Sequence, residues 1–174
     1  MKPEILIKSG HYFDLADPKP EQINIEDIAH ALAHICRFTG HAREFYSVAQ
    51  HCVLASYIVP QHLALAALLH DAAEAYIGDV AAPLKAMLPD YRAIERRVEV
   101  AVAQKFGLPL KMHPLVKHAD LVMLATEKRD LMPATAEPWP VELTHQADER
   151  WIIPLEPKVA RAEFLWRFAA LTKP

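Results

Sequence analysis

A chain of 174 residues is long enough for one domain with a buried core, and 52% hydrophobic with 24% charged residues describes a globular protein, not a disordered one. A net charge of −3 excludes a global electrostatic pull on nucleic acid polymers, so an anionic ligand must meet local positive charge. Two cysteines, Cys36 and Cys52, make no disulfide framework, and no apolar run reaches membrane-spanning length. The opening Met1-Lys2-Pro3-Glu4 does not read as a signal peptide, so a cytoplasmic protein without membrane partners is expected. Fourteen prolines against four glycines suit helices ended by prolines better than glycine-turned strands. The whole of 1–174 reads as one domain, without repeats.

In chain order, Ile5 to Leu15 alternates around Ser9-Gly10 and predicts a small β-hairpin. Asp17 to Gln22 is a loop. Asn24 is placed to cap a helix from Ile25 to about Cys36, with Ile25, Ile28, Leu32 and Ile35 on one face. Arg37 to Tyr46 is irregular. Ser47 is placed to cap a helix over Val48 to Ile58, and Pro60 to start one running through Leu68 into His70-Asp71. A short connection lies between Pro83 and Pro89. Asp90 is expected to cap a helix to Phe106, with Ile94, Val98 and Val102 inward and Arg92, Glu95, Arg96 and Glu99 outward. Another helix covers Leu115 to Leu131, Pro133 to Glu156 is mostly loop, and a last helix covers Lys158 to Leu171, with Val159, Phe164, Leu165, Phe168 and Leu171 apolar. The expected fold is all-α: about six packed helices and a minor N-terminal hairpin.

The stretch Leu68 to Lys85 sets polar groups into an apolar run. On a continuous helix, His70, Asp71 and Glu74 share one side. Buried carboxylates need partners or a cation. Three helices offer ligands for a divalent metal, in the order His51, then His70-Asp71, then Asp120. Asp120 in isolation could equally pair with Lys117 or Lys128 on its own helix.

This order, with Glu74, Gly78-Asp79 and Pro83-Leu84-Lys85 in place, resembles the metal signature of the HD-domain phosphohydrolases, over roughly Ile25 to Leu131. The continuation is similar to the small deoxynucleotidases of the YfbR type. The stretches Cys36 to His41, Phe45 to His51 and Ala119 to Leu131 look closer still to the prophage-associated YfdR-like branch. The resemblance implies an HD-domain helical bundle holding a divalent metal (Mn, Co, Fe, Ni, Zn or Mg) on His51, His70, Asp71 and Asp120. It implies Glu74 as the base that orients or deprotonates water, with Asp79 protonating the leaving 5'-oxygen or gripping the sugar. It implies Arg37 as a phosphate clamp and Phe38 as a contact to base or sugar. The YfbR type has Trp where this chain has Phe38, which leaves the base-stacking role open. Lys85 and Lys117 are further phosphate candidates.

The function this implies is a 5'-deoxynucleotidase that converts a 2'-deoxynucleoside monophosphate to deoxynucleoside and phosphate. The alternative is a deoxynucleoside triphosphohydrolase of the dATP type found among small phage enzymes, which releases triphosphate. A non-catalytic nucleotide-binding HD module fits less well, because all the ligands and both auxiliary carboxylates are present. The carboxylate pair of the alarmone hydrolases is not recognisable. Members of this kind usually self-associate, and Phe164 and Trp166 on the last helix offer an aromatic surface for a homo-oligomer.

Overall fold

The structure is a computed structural model that describes residues 2–173; Met1 and Pro174 lie outside the described residues. Strands β1 (Glu4–Leu6) and β2 (Tyr12–Asp14) pair antiparallel with Ile5 opposite Phe13. Gly10 turns the hairpin at φ +85°, and Gly10 N–H donates to Ile7 O at 3.0 Å. Among the described residues eight α-helices follow: α1 (Ile25–His34), α2 (Val48–Ile58), α3 (Ala64–Leu68), α4 (Glu74–Ile77), α5 (Ala82–Lys85), α6 (Pro89–Phe106), α7 (Pro114–Leu131) and α8 (Pro157–Thr172). The fold is all-α with a small hairpin, as expected, but a break at the His70-Asp71 stretch splits off α4, and α5 is a further short helix beyond it.

The caps explain most helix starts. Asn24 Oδ1 accepts from Glu26 N–H at 2.9 Å, and Ser47 Oγ accepts from Gln50 N–H at 3.2 Å. Three starts differ by a residue or so from expectation because proline takes the first helical position. Pro89 precedes Asp90, which lies in the first turn of α6 and does not cap it. Pro114 starts α7 with His113 as its cap, and Pro157 starts α8.

Helix α2 is the axis of the molecule. It packs against α1, α3, α7 and α8, while α1 also packs on α4 and α8. Phe13, Ile28, Leu32, Val48, Leu68, Val98 and Phe164 fill the main core. Small residues (Ala64, Ala67, Ala119) bring α3 close to α7 in a second cluster. On α6, Val98 and Val102 are buried as expected, Ile94 only partly, and Glu95 is drawn inward to Lys85. On α8, Val159 is exposed and Ala160 takes the inward position. Phe164 is fully buried in the core, so it is no part of an association surface, whereas Trp166 is 65% exposed.

The segment between α7 and α8 has little regular structure, one 3-10 turn over Pro140–Leu143, yet it is pinned. Gln50 donates to Ile153 O at 2.8 Å and accepts from Leu155 N–H at 2.9 Å. Asp130 accepts from Ile152 N–H at 2.9 Å, and Thr126 Oγ1 from Asp148 N–H at 2.8 Å. Side chains of α2 and α7 thus replace the backbone partners that a helix or sheet would have supplied. Among the described residues no helix is long and apolar enough to cross a membrane. Both cysteines are free thiols.

Candidate metal centre

The chain between α3 and α4 does not continue as a helix. Leu69 N–H still reaches Leu65 O, but the next bonds, Ala72 N–H to Leu69 O and Glu74 N–H to Asp71 O, span three residues. His70 and Asp71 therefore sit in a tightened turn, and their side chains leave it toward α2 and α7. The shared helical face predicted for His70, Asp71 and Glu74 is corrected in this way. The three still converge, but through a turn.

His51, in the middle of α2, is fully buried. Its Nε2 lies 3.3 Å from His70 Nε2, 3.4 Å from Asp120 Oδ1 and 3.7 Å from Asp71 Oδ2. His70 Nε2 lies 3.2 Å from Asp71 Oδ2 and 3.9 Å from Asp120 Oδ1. The other ring nitrogens are engaged: His51 Nδ1–H donates to Glu127 Oε1 at 2.6 Å, and His70 Nδ1–H donates to Ala67 O at 2.7 Å. Both partners only accept, so the proton of each neutral imidazole belongs on Nδ1. Two Nε2 atoms then face each other beside two carboxylates, an arrangement that can hold a cation between them. Ligand atoms of His51, His70 and Asp120 all lie within 4.8 Å of one another, as do those of Cys52, His70 and Asp71. Two imidazoles with oriented Nδ1 atoms and two carboxylates fit a divalent metal, so this buried group can hold a metal ion.

The electrostatics agree. Burial opposes ionisation of Asp71 and Asp120, yet the neighbouring histidines hold both carboxyl groups well below the usual range. Burial also opposes protonation of His70, but Asp71 and Asp120 raise its proton affinity well above that of a free imidazole. A field that attracts a proton to these nitrogens attracts a metal cation as well.

Glu127 was missed from sequence. It is fully buried two turns beyond Asp120 on α7, and it serves two elements at once. Oε1 orients His51, while Oε2 accepts from Arg37 Nε at 3.2 Å and Nη2 at 2.9 Å. Its seven-residue spacing from Asp120, on the same side of α7, was the available signal. Cys52, fully buried next to His51, was missed too; burial pushes its thiol up to about 11, so it stays protonated.

Arg37 is thus held by a carboxylate, with only Nη1 free of Glu127, 3.8 Å from Asp71 Oδ2. Lys85 donates to Glu95 Oε1 at 2.6 Å and lies 3.9 Å from Glu74 Oε1. Lys117, 57% exposed, donates to Asp120 Oδ2 at 2.7 Å while Oδ1 of that carboxylate faces the histidines. The three expected phosphate cations therefore all carry carboxylate partners. Glu74 opens α4, nearly buried, and its Oε2 has no hydrogen-bond partner among the described residues. Burial, then Asp71 and Asp79, push its carboxyl up to about 9. Burial also raises that of Asp79, which follows Gly78 at φ +81°.

Phe38 stands on an unusual backbone. Phe38, Thr39 and Gly40 are left-handed in succession, at φ +56°, +54° and +80°. For the two residues with a Cβ this costs about 1–2 kcal/mol each. Arg37 N–H donates to Tyr46 O and Arg43 N–H to Leu131 O, both at 2.9 Å, so the turn is fixed at both ends.

No family model matches the chain. It is 48% identical over 166 residues to the uncharacterized protein YfdR of Escherichia coli, an alignment that covers 95% of this chain and 93% of that protein. It is 40% identical over 121 residues to an uncharacterized protein of Rhodobacter capsulatus, covering 64% of this chain and 62% of the relative. Neither name states an activity. Identity of this degree over nearly the full length of both proteins means that the chain belongs to the YfdR family.

Proposed function

We propose that this chain is a metal-dependent phosphohydrolase of the HD-domain class that acts on 2'-deoxynucleotides as a 5'-deoxynucleotidase. The observation that carries the reading is the pair of Nε2 lone pairs of His51 and His70, 3.3 Å apart and flanked by Asp71 and Asp120. A divalent metal bound there supplies a Lewis acid at the phosphate and makes a bound water more acidic. Its identity (Mn, Co, Fe, Ni, Zn or Mg) is left open by ligands of this kind.

The chain's own groups divide the remaining work. Glu74 has a free, buried Oε2 and sits one turn beyond the ligands, where it takes a proton from the attacking water. Burial, then Asp71 and Asp79, raise its proton affinity, and a cation beside Asp71 would remove the second of these causes. Water adds to phosphorus, the bond from phosphorus to the 5'-oxygen breaks, and Asp79 gives that oxygen a proton. Arg37 turns Nη1 toward the site while Glu127 holds its other edge, which orients the guanidinium for phosphate. Lys85 and Lys117 exchange part of their carboxylate pairing for phosphate at the rim.

The test is product analysis. The metal-loaded protein is incubated with a panel of deoxynucleoside mono- and triphosphates, and products are identified by mass spectrometry. Free phosphate from monophosphates is expected. Intact triphosphate released from a triphosphate substrate would replace this reading with a triphosphohydrolase. No release, with metal bound, would make the chain a binding module. Glu74→Ala should abolish turnover and leave metal binding intact.

A further inference from the structure

The left-handed turn at Phe38-Thr39-Gly40 lies against a residue far away in sequence. The Phe38 ring is 6.0 Å from that of Trp139, tilted at 53°. Arg37 Cζ stands 5.3 Å from the Phe38 centroid, and Lys128 Nζ stands 5.1 Å from that of Trp139. Lys128 is itself nearly buried and anchored to Pro133 O at 2.8 Å, and the Glu142 side chain accepts from the Trp139 backbone N–H. Both rings are half-buried, so each keeps an open face or edge. The indole N–H has no hydrogen-bond partner among the described residues. Two fixed, partly open aromatic rings thus adjoin Arg37, whose Nη1 reaches to 3.8 Å from Asp71.

We propose that Trp139, beside Phe38, whose contact to base or sugar the resemblance already implies, completes a wall on which the nucleobase of the substrate stacks, and that Trp139 is a specificity-determining residue. The inference rests on the deoxynucleotide reading above. It extends that reading with a residue from the segment between α7 and α8, which nothing in the sequence pattern attached to the site. Three features carry it. The left-handed backbone at Phe38 and Thr39 holds the Phe38 ring against Trp139 and Arg37, and such conformations cluster at ligand clamps. The rings are 6.0 Å apart and not parallel, which leaves no slot for a base between them, so the base lies across their open side. Arg37 fixes the phosphate end on the same side chain array, which puts the base end of a nucleotide within reach of the rings. Aromatic faces accept any base, so the wall favours a substrate that carries a base over one that does not.

The experiment uses the full chain with Trp151 and Trp166 replaced by Phe, so that Trp139 alone fluoresces. Deoxynucleosides and deoxynucleotides should quench it saturably, and deoxyribose 5-phosphate should not. In the otherwise natural chain, Trp139→Ala should raise KM for a deoxynucleotide roughly ten-fold more than KM for deoxyribose 5-phosphate, the scale of one lost base–aromatic stack. Trp139→Phe should recover most of that loss. A silent indole in a protein that releases phosphate, or equal KM changes on the two substrates, would overturn the base wall and leave the hydrolase reading intact. Quenching by deoxynucleosides in a protein that releases nothing would do the reverse.

Discussion

Glu127 shows how much one side chain decides. Its carboxylate fixes the tautomer of His51 and neutralises Arg37 in a largely buried place. Replacing it with Ala strips the guanidinium of both its close hydrogen bonds, leaving only Asp71 at 3.8 Å, and frees the imidazole to rotate. Glu127→Ala is expected to cost about 3–5 kcal/mol in chemical denaturation. In any variant that folds, metal affinity should fall about 10–100-fold by titration calorimetry. Glu74 gives the second prediction at this scale. Burial and two neighbouring acids raise its carboxyl from the ordinary value to about 9 in the folded chain. The folded state therefore holds a proton that the unfolded state releases, and the stability this contributes is lost as pH rises from about 4.5 toward 9. In metal-free protein, Glu74→Gln should flatten the decline in Tm across that window. Equal slopes for both proteins would remove the protonated Glu74.

At the scale of elements, the site depends on a helix that stops early. Had α3 run on through His70-Asp71, the two side chains would point about 100° apart around one axis. The turn of three-residue hydrogen bonds from Leu69 to Tyr76 instead sends both toward α2 and α7. The loop between α7 and α8 is held by a few side chains, so its order is separable from the helices. Gln50→Ala removes both bonds to Ile153 and Leu155. It is expected to cost about 1–3 kcal/mol, and amide hydrogen exchange should show the segment before α8 opening while α2 stays protected.

For the molecule as a whole, the candidate metal ligands join α2, the α3–α4 turn and α7, so a cation bound there would also clamp the fold. A divalent metal at about 100 times its Kd should add about 2.7 kcal/mol of stability. Asp120→Ala should abolish that gain. Affinity should rise with pH, because His70 holds a proton more tightly than a free imidazole and must release it to bind metal. Pairing between copies is expected to use the groove of α2 and α8, lined by Val53, Tyr57 and Trp166. Trp166→Ser should shift the mass measured by light scattering toward the monomer. A monomer mass for the unaltered chain would remove this surface.

The sequence by itself determined what local chemistry determines. The hairpin turn follows from Gly10, the starts of α1 and α2 from Asn24 and Ser47, and the core face of α1 from its 3.6-residue spacing. The order His51, His70-Asp71, Asp120 was legible because ionisable residues in apolar helices stand out against their neighbours. Tertiary structure decided the rest, since it depended on distant partners. Glu127 and Lys128 are adjacent in sequence, yet one faces His51 and the other Trp139, and the helix pattern alone does not say which serves the site. Trp139 belongs to a segment with no periodicity, whose place is set by hydrogen bonds to α2 and α7. Phe164 and Trp166 read alike as aromatic residues of one helix; only the packing of α8 on α1 and α2 buries the first and exposes the second.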